Sequence, residues 1–337
     1  MTGFAFDLPT VWALLVAFAV LTYVLLDGFD LGVGLLFPWI GDGEERDLAM
    51  NSIAPVWDGN ETWLVLGGGG LFAVFPLAFA IVMPALYAPL IAMLTGLIFR
   101  GVAFEFRWRG ERGRPWWDRG FFLGSLAATL AQGIALGALV QGIEVEGRAY
   151  AGGWWDWATP FSLLTAIALV VGYALLGATW LVMKTEGRLH DRALAAARPL
   201  AFATLASIAA VSAWTAFLDP VYMQRWLAWP ALLYSAPMPI ATGLAGWLLI
   251  QGLAAGRDVR PFLAAQSIFV LCFVGLGIGF YPYILPHDVT IHDAAAPDSS
   301  LIFLLVGAAV LIPLILAYTA HAYWVFRGKV DPRAGYH

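Results

Sequence analysis

Nine apolar stretches, each about long enough to cross a lipid bilayer, dominate this sequence of 337 residues. A helix rises about 1.5 Å per residue, so roughly 20 residues cross the ~30 Å hydrocarbon layer. Only 12% of the residues are charged and 61% are hydrophobic, whereas a soluble domain has about 25% and about 45–50%. The sequence therefore predicts an all-α integral membrane protein of about nine transmembrane helices packed in bundles. The predicted spans are 9–38, 51–75, 78–104, 120–142, 158–183, 194–217, 228–254, 261–285 and 300–326.

Lysine and arginine are distributed unevenly over the linkers between these spans. Nine spans place the termini on opposite sides, and 16 of the 18 Lys and Arg residues then fall on one side. Positive residues concentrate on the cytoplasmic side of membrane proteins. The sequence thus predicts a single membrane domain over residues 1–337, with its N-terminus outside and its C-terminus in the cytoplasm. The 16 residues are Arg46, Arg100, Arg107, Arg109, Arg112, Arg114, Arg119, Lys184, Arg188, Arg192, Arg198, Arg257, Arg260, Arg327, Lys329 and Arg333.

Composition excludes several kinds of site. Cys272 is the only cysteine, which rules out an internal disulfide and a CxxC redox or zinc site. The net charge is −5 and no basic cluster accompanies a nucleic-acid motif, so no nucleic-acid partner is expected. A haem inside a helical bundle needs an inward-facing ligand such as His or Met. Only His321 falls within a span, close to its inner end, so we expect no metal site and no cofactor bound wholly by this chain. The other histidines, in predicted loops or the tail, are His190, His287, His292 and His337.

Ionisable residues inside the spans are confined to the first three of them. The first span contains Asp27 and Asp30, the second Asp58 and Glu61, and the third Arg100 near its inner end. A charge at a helix centre costs about 2.5–3.5 kcal/mol on insertion scales, so these side chains are expected to face protein or water. Each acidic pair has i, i+3 spacing, which places both members on one helix face.

These positions favour a path for protons. Asp58 is expected about two turns into the second span, as a buried carboxylate in the cytoplasmic half. Buried carboxylates can take and release protons near neutral pH. The alternative is that the acids only link helices through hydrogen bonds. Composition and spacing leave open whether the chain serves a proton-consuming enzyme or a proton- or cation-coupled transporter.

Small residues accompany the charges in the first span. Gly28 and Gly32 form a GxxxG pattern, which lets another helix backbone approach closely. The later spans have almost no ionisable residue in their interiors. We therefore predict that residues 9–104 form the charged functional helices and that residues 120–326 form mostly scaffold.

Four motifs in the charged part resemble subunit II of the cytochrome bd quinol oxidases. The resemblance continues through the linker before the fourth span and through the last span, and so covers nearly the whole chain. The motifs are DGFDLGVG at 27–34, NSIAPVWDGNETWLV at 51–65, GGGGLFAVFP at 67–76 and FRGVAFEFR at 99–107, followed by WWDRGFFLGS at 116–125 and LIPLILAYTAHAYW at 311–324.

The resemblance implies a heterodimer in the bacterial inner membrane, surrounded by lipid, with a haem-bearing subunit I and often a very small third subunit. Subunit I of the family holds two b-type haems, one d-type haem and the quinol site. The complex oxidises quinol and reduces dioxygen to water with protons from the cytoplasm. On the matching positions, the resemblance implies proton transfer by Asp58, and with it roles for Glu61, Asp27 and Asp30. Trp63 and Arg100 would lie beside the oxygen route and the partner interface. A transporter using the same acids, or a purely structural partner, stays open.

Overall fold

The computed structural model describes residues 7–41, 43–286 and 288–331. Within them the chain forms fourteen α-helices and two short antiparallel hairpins, β1 with β2 and β3 with β4. The helices are α1 (Leu8–Leu36), α2 (Gly43–Ile53), α3 (Trp57–Val74), α4 (Pro76–Ala85), α5 (Tyr87–Phe106), α6 (Arg114–Gln141), α7 (Pro160–Lys184), α8 (Gly187–Leu218), α9 (Pro220–Leu227), α10 (Leu232–Ser235), α11 (Pro237–Ala254), α12 (Val259–Phe280), α13 (Ile291–Ala294) and α14 (Asp298–Val325). The strands are β1 (Val145–Glu146), β2 (Ala149–Tyr150), β3 (Tyr283–Leu285) and β4 (Val289–Thr290).

Eight helical segments in the described residues are long and apolar enough to cross a membrane. They are α1, α5, α6, α7, α8, α10 joined to α11, α12 and α14. The pair α3 and α4 adds a ninth if both count as one span, although the two helices are bent by 120° where they meet. The predicted class, an all-α membrane protein of about nine spans, is confirmed.

Two predicted spans have wrong bounds because prolines divide them. The stretch 51–75 contains the end of α2 and the whole of α3. A turn that includes Pro55 separates the two helices, and α3 begins only at Trp57. The stretch 78–104 is also divided: α4 has Pro76 in its first turn and Pro84 in its interior, and the third span begins with α5. Proline lacks the N–H of a helical hydrogen bond and disfavours helix in the residue before it.

The long helices of the seventh and eighth predicted spans are shorter than predicted, each at the end that was expected to face the outside. The stretch 228–254 begins with a turn at Pro230 and the short helix α10, and its long helix is α11. The stretch 261–285 ends as a helix with α12, because Pro282 and strand β3 follow. In both places the apolar run of the sequence extends beyond the long helix.

Ion pairs join the arginine-rich linkers at one end of the helices. Arg107 is 1% exposed and pairs with Asp47 and, at 2.5 Å, with Asp118. Arg46 reaches Asp118 at 2.8 Å, and α8 contacts Glu45 of α2 through two further arginines. The linkers predicted to share one side of the membrane thus lie together. Which side they face stays a prediction, and residues 1–6 and Arg333 lie outside the described residues.

Hydrogen bonds and an ion pair hold the segment after α14 at the same end of the helices. Lys184, the last residue of α7, donates to the carbonyl oxygen of Gly328 at 2.5 Å, and its own carbonyl accepts from Val330 at 2.8 Å. Lys329 pairs with Asp258 at 2.7 Å. This hydrogen bond from Lys329 holds the pKa of Asp258 below its usual value. The pairing is therefore intact at neutral pH and is lost only when acid protonates Asp258.

Candidate functional site

The backbones of α1 and α7 touch at the predicted GxxxG pattern. A Cβ atom built on Gly32 would lie 1.9 Å from the carbonyl oxygen of Tyr173 and 2.7 Å from the nitrogen of Gly177. One built on Gly28 would lie 2.9 Å from the Tyr173 ring. Only glycine allows this approach, so the predicted close contact is confirmed. It fixes the part of α1 that carries the two aspartates.

Arg100 enters this region from α5. Its backbone nitrogen lies 2.7 Å from where a Cβ atom on Gly124 of α6 would be, so glycine is required there too. The Arg100 side chain is 1% exposed and donates to Oδ1 of Asp27 at 2.5 Å. Its Nη2 lies 3.5 Å from Oε1 of Glu61, and its guanidinium lies 5.7 Å from the Trp57 ring centre. A buried arginine thus joins α1, α3 and α5.

Asp30 is supported by a second set of hydrogen bonds. Its side chain is fully buried, and its Oδ2 accepts from the amide of Asn60 at 2.7 Å. The Tyr323 hydroxyl of α14 donates to the amide oxygen of Asn60 at 3.0 Å. Oδ1 of Asp30 has no hydrogen-bond partner among the described residues. The last span is thereby linked to the acids of the first.

A third set of hydrogen bonds lies next to Asp27 and joins α1, α6 and α7. The Gln132 amide of α6 donates to the Tyr23 hydroxyl at 2.7 Å and accepts from the Tyr173 hydroxyl at 3.1 Å. Tyr23 lies one helical turn before Asp27, and its own proton is left free by this arrangement. Oδ2 of Asp27 has no hydrogen-bond partner among the described residues. Tyr23 therefore lies beside Asp27 on the same face of α1, with its hydroxyl bound by the Gln132 amide.

The structure brings Asp27, Asp30, Glu61 and Arg100 together, but not Asp58. Asp58 is exposed in the first turn of α3. The expectation of a buried carboxylate two turns into a span is wrong, because α3 starts after the Pro55 turn and not at residue 51. Asp58 remains three residues before Glu61 on the same helix. Glu61 is 25% exposed, so it connects the buried acids with the surface.

Trp63 is a residue of α3 and is buried against α1. It is 1% exposed and meets the Phe18 ring edge-on, with 5.8 Å between ring centres. It also packs with Ala19 and Tyr23. Trp63 and Arg100 are both buried within this subunit, and their place beside an oxygen route or a partner interface stays a prediction.

Four neutral residues of this site were not predicted, because only ionisable groups carry the large insertion cost on which the prediction rested. Each amide and phenol lies in a span that is otherwise largely apolar, and a polar side chain inside a span usually faces the bundle interior. Asn60 also lies within the motif that contains Asp58. These signals were available in the sequence. The four residues are Asn60, Gln132, Tyr173 and Tyr323.

Histidines of this chain do not form an inward-facing haem site in the part that the structure describes. His321 is exposed on α14, with its ring centre 6.1 Å from that of Trp324. His190 and His292 contact aspartates outside the spans. No group of three His, Cys, Asp or Glu residues in the described ranges is placed to hold a metal ion. His287 and His337 lie outside those ranges, and the absence of a haem in this subunit stays a prediction.

The fold and the site define a class: a multi-pass helical membrane protein with an arginine buried among three carboxyl groups. The chain belongs to the cytochrome bd terminal oxidase subunit II family, which matches residues 8–326. It is 32% identical to the cytochrome bd-I ubiquinol oxidase subunit 2 of Escherichia coli strain K12, over 95% of this chain and 94% of that one. It is 27% identical to the cytochrome bd ubiquinol oxidase subunit 2 of Bacillus subtilis strain 168, over 96% and 97%.

A solved structure has the same fold. The bd oxidase of Geobacillus thermodenitrificans contains a chain that superposes with a TM-score of 0.79 at 20% identity, covering 96% of this chain and 99% of that one. The protein is thus a subunit of a bd-type quinol oxidase, a multi-pass protein of the bacterial inner membrane with a partner subunit I. Family membership decides against the transporter that composition and spacing had left open.

Proposed function

We propose that this chain is the proton-relaying, non-haem subunit of its oxidase. Subunit I holds two b-type haems and one d-type haem, which supply electron transfer and oxygen reduction. The complex oxidises quinol, reduces dioxygen to water and includes a very small third subunit. The main support for a proton relay is the position of Glu61. It lies 3.5 Å from buried Arg100 and is still 25% exposed, one turn from surface Asp58.

The exposure of Asp58 supports a covering partner. A carboxylate at a lipid-facing position of a span costs up to about 2.5–3.5 kcal/mol. Val65 and Phe72, further along α3, are 73% and 61% exposed. This face therefore combines a charge with large apolar side chains. We infer that subunit I covers it, so that Asp58 lies in a shielded junction between the subunits with access to cytoplasmic water.

The relay uses residues of this chain in a fixed order. Asp58 takes a proton from the cytoplasmic side and passes it to Glu61, one turn away on α3. Arg100 compensates the charge that is left when a proton moves on from Glu61. Three carboxyl groups facing one guanidinium titrate as a coupled set, so Asp27 and Asp30 share in holding the proton. From this set the proton continues to subunit I.

Trp63 and the later helices have supporting roles in the proposal. Trp63, packed against Phe18 in an apolar cluster, contributes to an oxygen route beside the partner interface, together with Arg100. Residues 9–104 carry the functional charges and residues 120–326 are mostly scaffold. To the site this scaffold adds the hydroxyl and amide groups of α6, α7 and α14.

Asp58→Asn tests the relay. Asparagine keeps the size of the side chain but has no titrating proton. Proton transfer by a positioned side chain contributes about 10²–10⁴-fold, and Glu61 can replace Asp58 in part, so we expect turnover to fall about 100-fold. Quinol-dependent oxygen consumption by the purified complex, normalised to haem, measures this.

Asp298→Asn is the matched control, because Asp298 is an exposed acid in the first turn of another span, α14. It should turn over at the wild-type rate. If Asp58→Asn also consumes oxygen at the wild-type rate between pH 6 and pH 9, Asp58 carries no essential proton and the acids only link helices.

A further inference from the structure

A groove between α8 and α11 opens on the outer surface of the helices. The two helices pack closely where Leu205 lies 3.0 Å from the Cβ position of Gly246. One and two turns further along both helices, a space of about 420 Å³ separates them. It is within the size range of small-ligand sites. Its lining residues are Arg198, Phe202, Ile250, Leu253 and Ala254.

Arg198 lies at the depth of lipid phosphates. The 19 residues 200–218 of α8 contain no charge and span about 28 Å of helix, close to the ~30 Å hydrocarbon layer. Arg198 is just beyond this stretch, at its arginine-rich end. Ala254 on the facing wall is the last residue of α11. Both walls of the groove thus reach the boundary between hydrocarbon and headgroups at the same level.

The guanidinium of Arg198 has no charged or hydrogen-bonding partner within the described residues. Arg198 is exposed and forms no ion pair or side-chain hydrogen bond in the described part of the structure. The carbonyls of Gln251 and Gly252, at the end of α11, accept from backbone N–H groups of the following turn, both at 3.0 Å. Asp258 in that turn already binds Lys329 at 2.7 Å. A guanidinium therefore remains available at the mouth of an apolar groove.

We propose that this groove binds one anionic phospholipid. Its phosphate pairs with Arg198, since arginine binds phosphate through charge-assisted and often bidentate hydrogen bonds. One acyl chain lies along Phe202, Ile250 and Leu253 towards the middle of the membrane. Arg257, exposed in the turn after α11, adds positive charge beside the headgroup. Basic sites between helices at the cytoplasmic side of a membrane bind anionic headgroups in this way.

Native mass spectrometry of the purified complex, titrated with phosphatidylglycerol after delipidation, tests the proposal. Arg198→Gln should weaken retention of one phosphatidylglycerol about five- to tenfold, the strength of one arginine near an anionic surface. Ala254→Trp should fill the groove and remove that lipid while leaving Arg198 in place. Arg119→Gln on α6, an exposed arginine outside the groove, should retain lipid as the wild type does.

Three outcomes would overturn the proposal. Arg198→Gln and Ala254→Trp could both retain phosphatidylglycerol at the wild-type level. Phosphatidylcholine could be retained as tightly as phosphatidylglycerol, which would remove the role of headgroup charge. A quinone or a protein segment could be released from the wild-type groove in place of lipid. Each readout is binding, so the result is independent of the proton relay proposed for α3.

Discussion

Arg100 organises the buried acids of this subunit. It donates to Asp27 at 2.5 Å and lies 3.5 Å from Glu61. Gln132, which joins the hydroxyls of Tyr23 and Tyr173 near Asp27, cannot conduct protons, because a side-chain amide has no readily exchanged acidic proton. Asn60, which lies between the Tyr323 hydroxyl and Asp30, interrupts proton conduction in the same way. In the relay proposed above, protons therefore enter the cluster through Glu61.

Arg100→Met should destabilise the complex strongly, because it leaves the Asp27 carboxylate buried without its cation. Breaking a buried ion pair in this way costs about 3–5 kcal/mol, whereas replacing both partners by apolar groups is often tolerated. Arg100→Met with Asp27→Leu should therefore be more stable than Arg100→Met alone. The midpoint temperature for loss of haem absorbance measures stability, with Arg119→Gln as control. A double variant no more stable than the single one would contradict the pairing.

Sequence patterns predicted individual helices well where packing is local, and less well where the chain changes direction. The Gly28 and Gly32 spacing predicted the close approach of α1 to a neighbour, since it depends only on side-chain size. The 120° bend between α3 and α4 was not predicted, because hydropathy continues through Pro76 and measures length but not direction. Asp58 was misplaced for the same reason, as its span was taken to begin before Pro55.

The sequence marks the neutral members of the site as polar residues within spans, but it does not give their hydrogen-bond partners. Gln132 and Tyr173 belong to α6 and α7, and only tertiary packing brings them to Tyr23. Asp27, Asp30, Glu61 and Arg100, by contrast, could be grouped in advance because charges inside spans are costly wherever they point.

Gly32→Ala should disrupt the contact between α1 and α7. Its Cβ atom would lie 1.9 Å from a backbone oxygen of α7, and a backbone cannot move as a flexible side chain does. We expect a large loss of assembled complex, measured as haem recovered with a tag on this chain. Gly243→Ala on α11, where no atom lies within 4 Å of the new Cβ, should assemble normally. Normal assembly of Gly32→Ala would show that the two helices are further apart.

Positive charge is concentrated at one of the two ends of the molecule. Sixteen of the 18 Lys and Arg residues belong to one set of linkers and the helix ends that flank them, and ion pairs such as Arg107 with Asp118 join these linkers in space. Glu61 and Arg100 lie within the helices near this end. The same end therefore combines the predicted cytoplasmic surface with the entrance of the proposed proton relay.

Reporter fusions test this orientation. The charge distribution predicts that residue 150 faces the periplasm and that residues 188 and 333 face the cytoplasm. Alkaline phosphatase, which is active only outside the cytoplasm, should be active when fused at 150 and inactive at 188 and 333. Activity at 188 or 333 would reverse the orientation and place the acids on the wrong side for cytoplasmic protons.

The proton relay itself can be followed during a single turnover. The reduced complex is mixed with oxygen in a weakly buffered solution containing a pH indicator, and proton uptake is recorded together with haem absorbance. Asp58→Asn with Glu61→Gln removes both exposed members of the relay, so proton uptake should slow about 100-fold or more while haem content stays at the wild-type level. Proton uptake at the wild-type rate in this double variant would contradict the account, because protons would then reach the haems without α3.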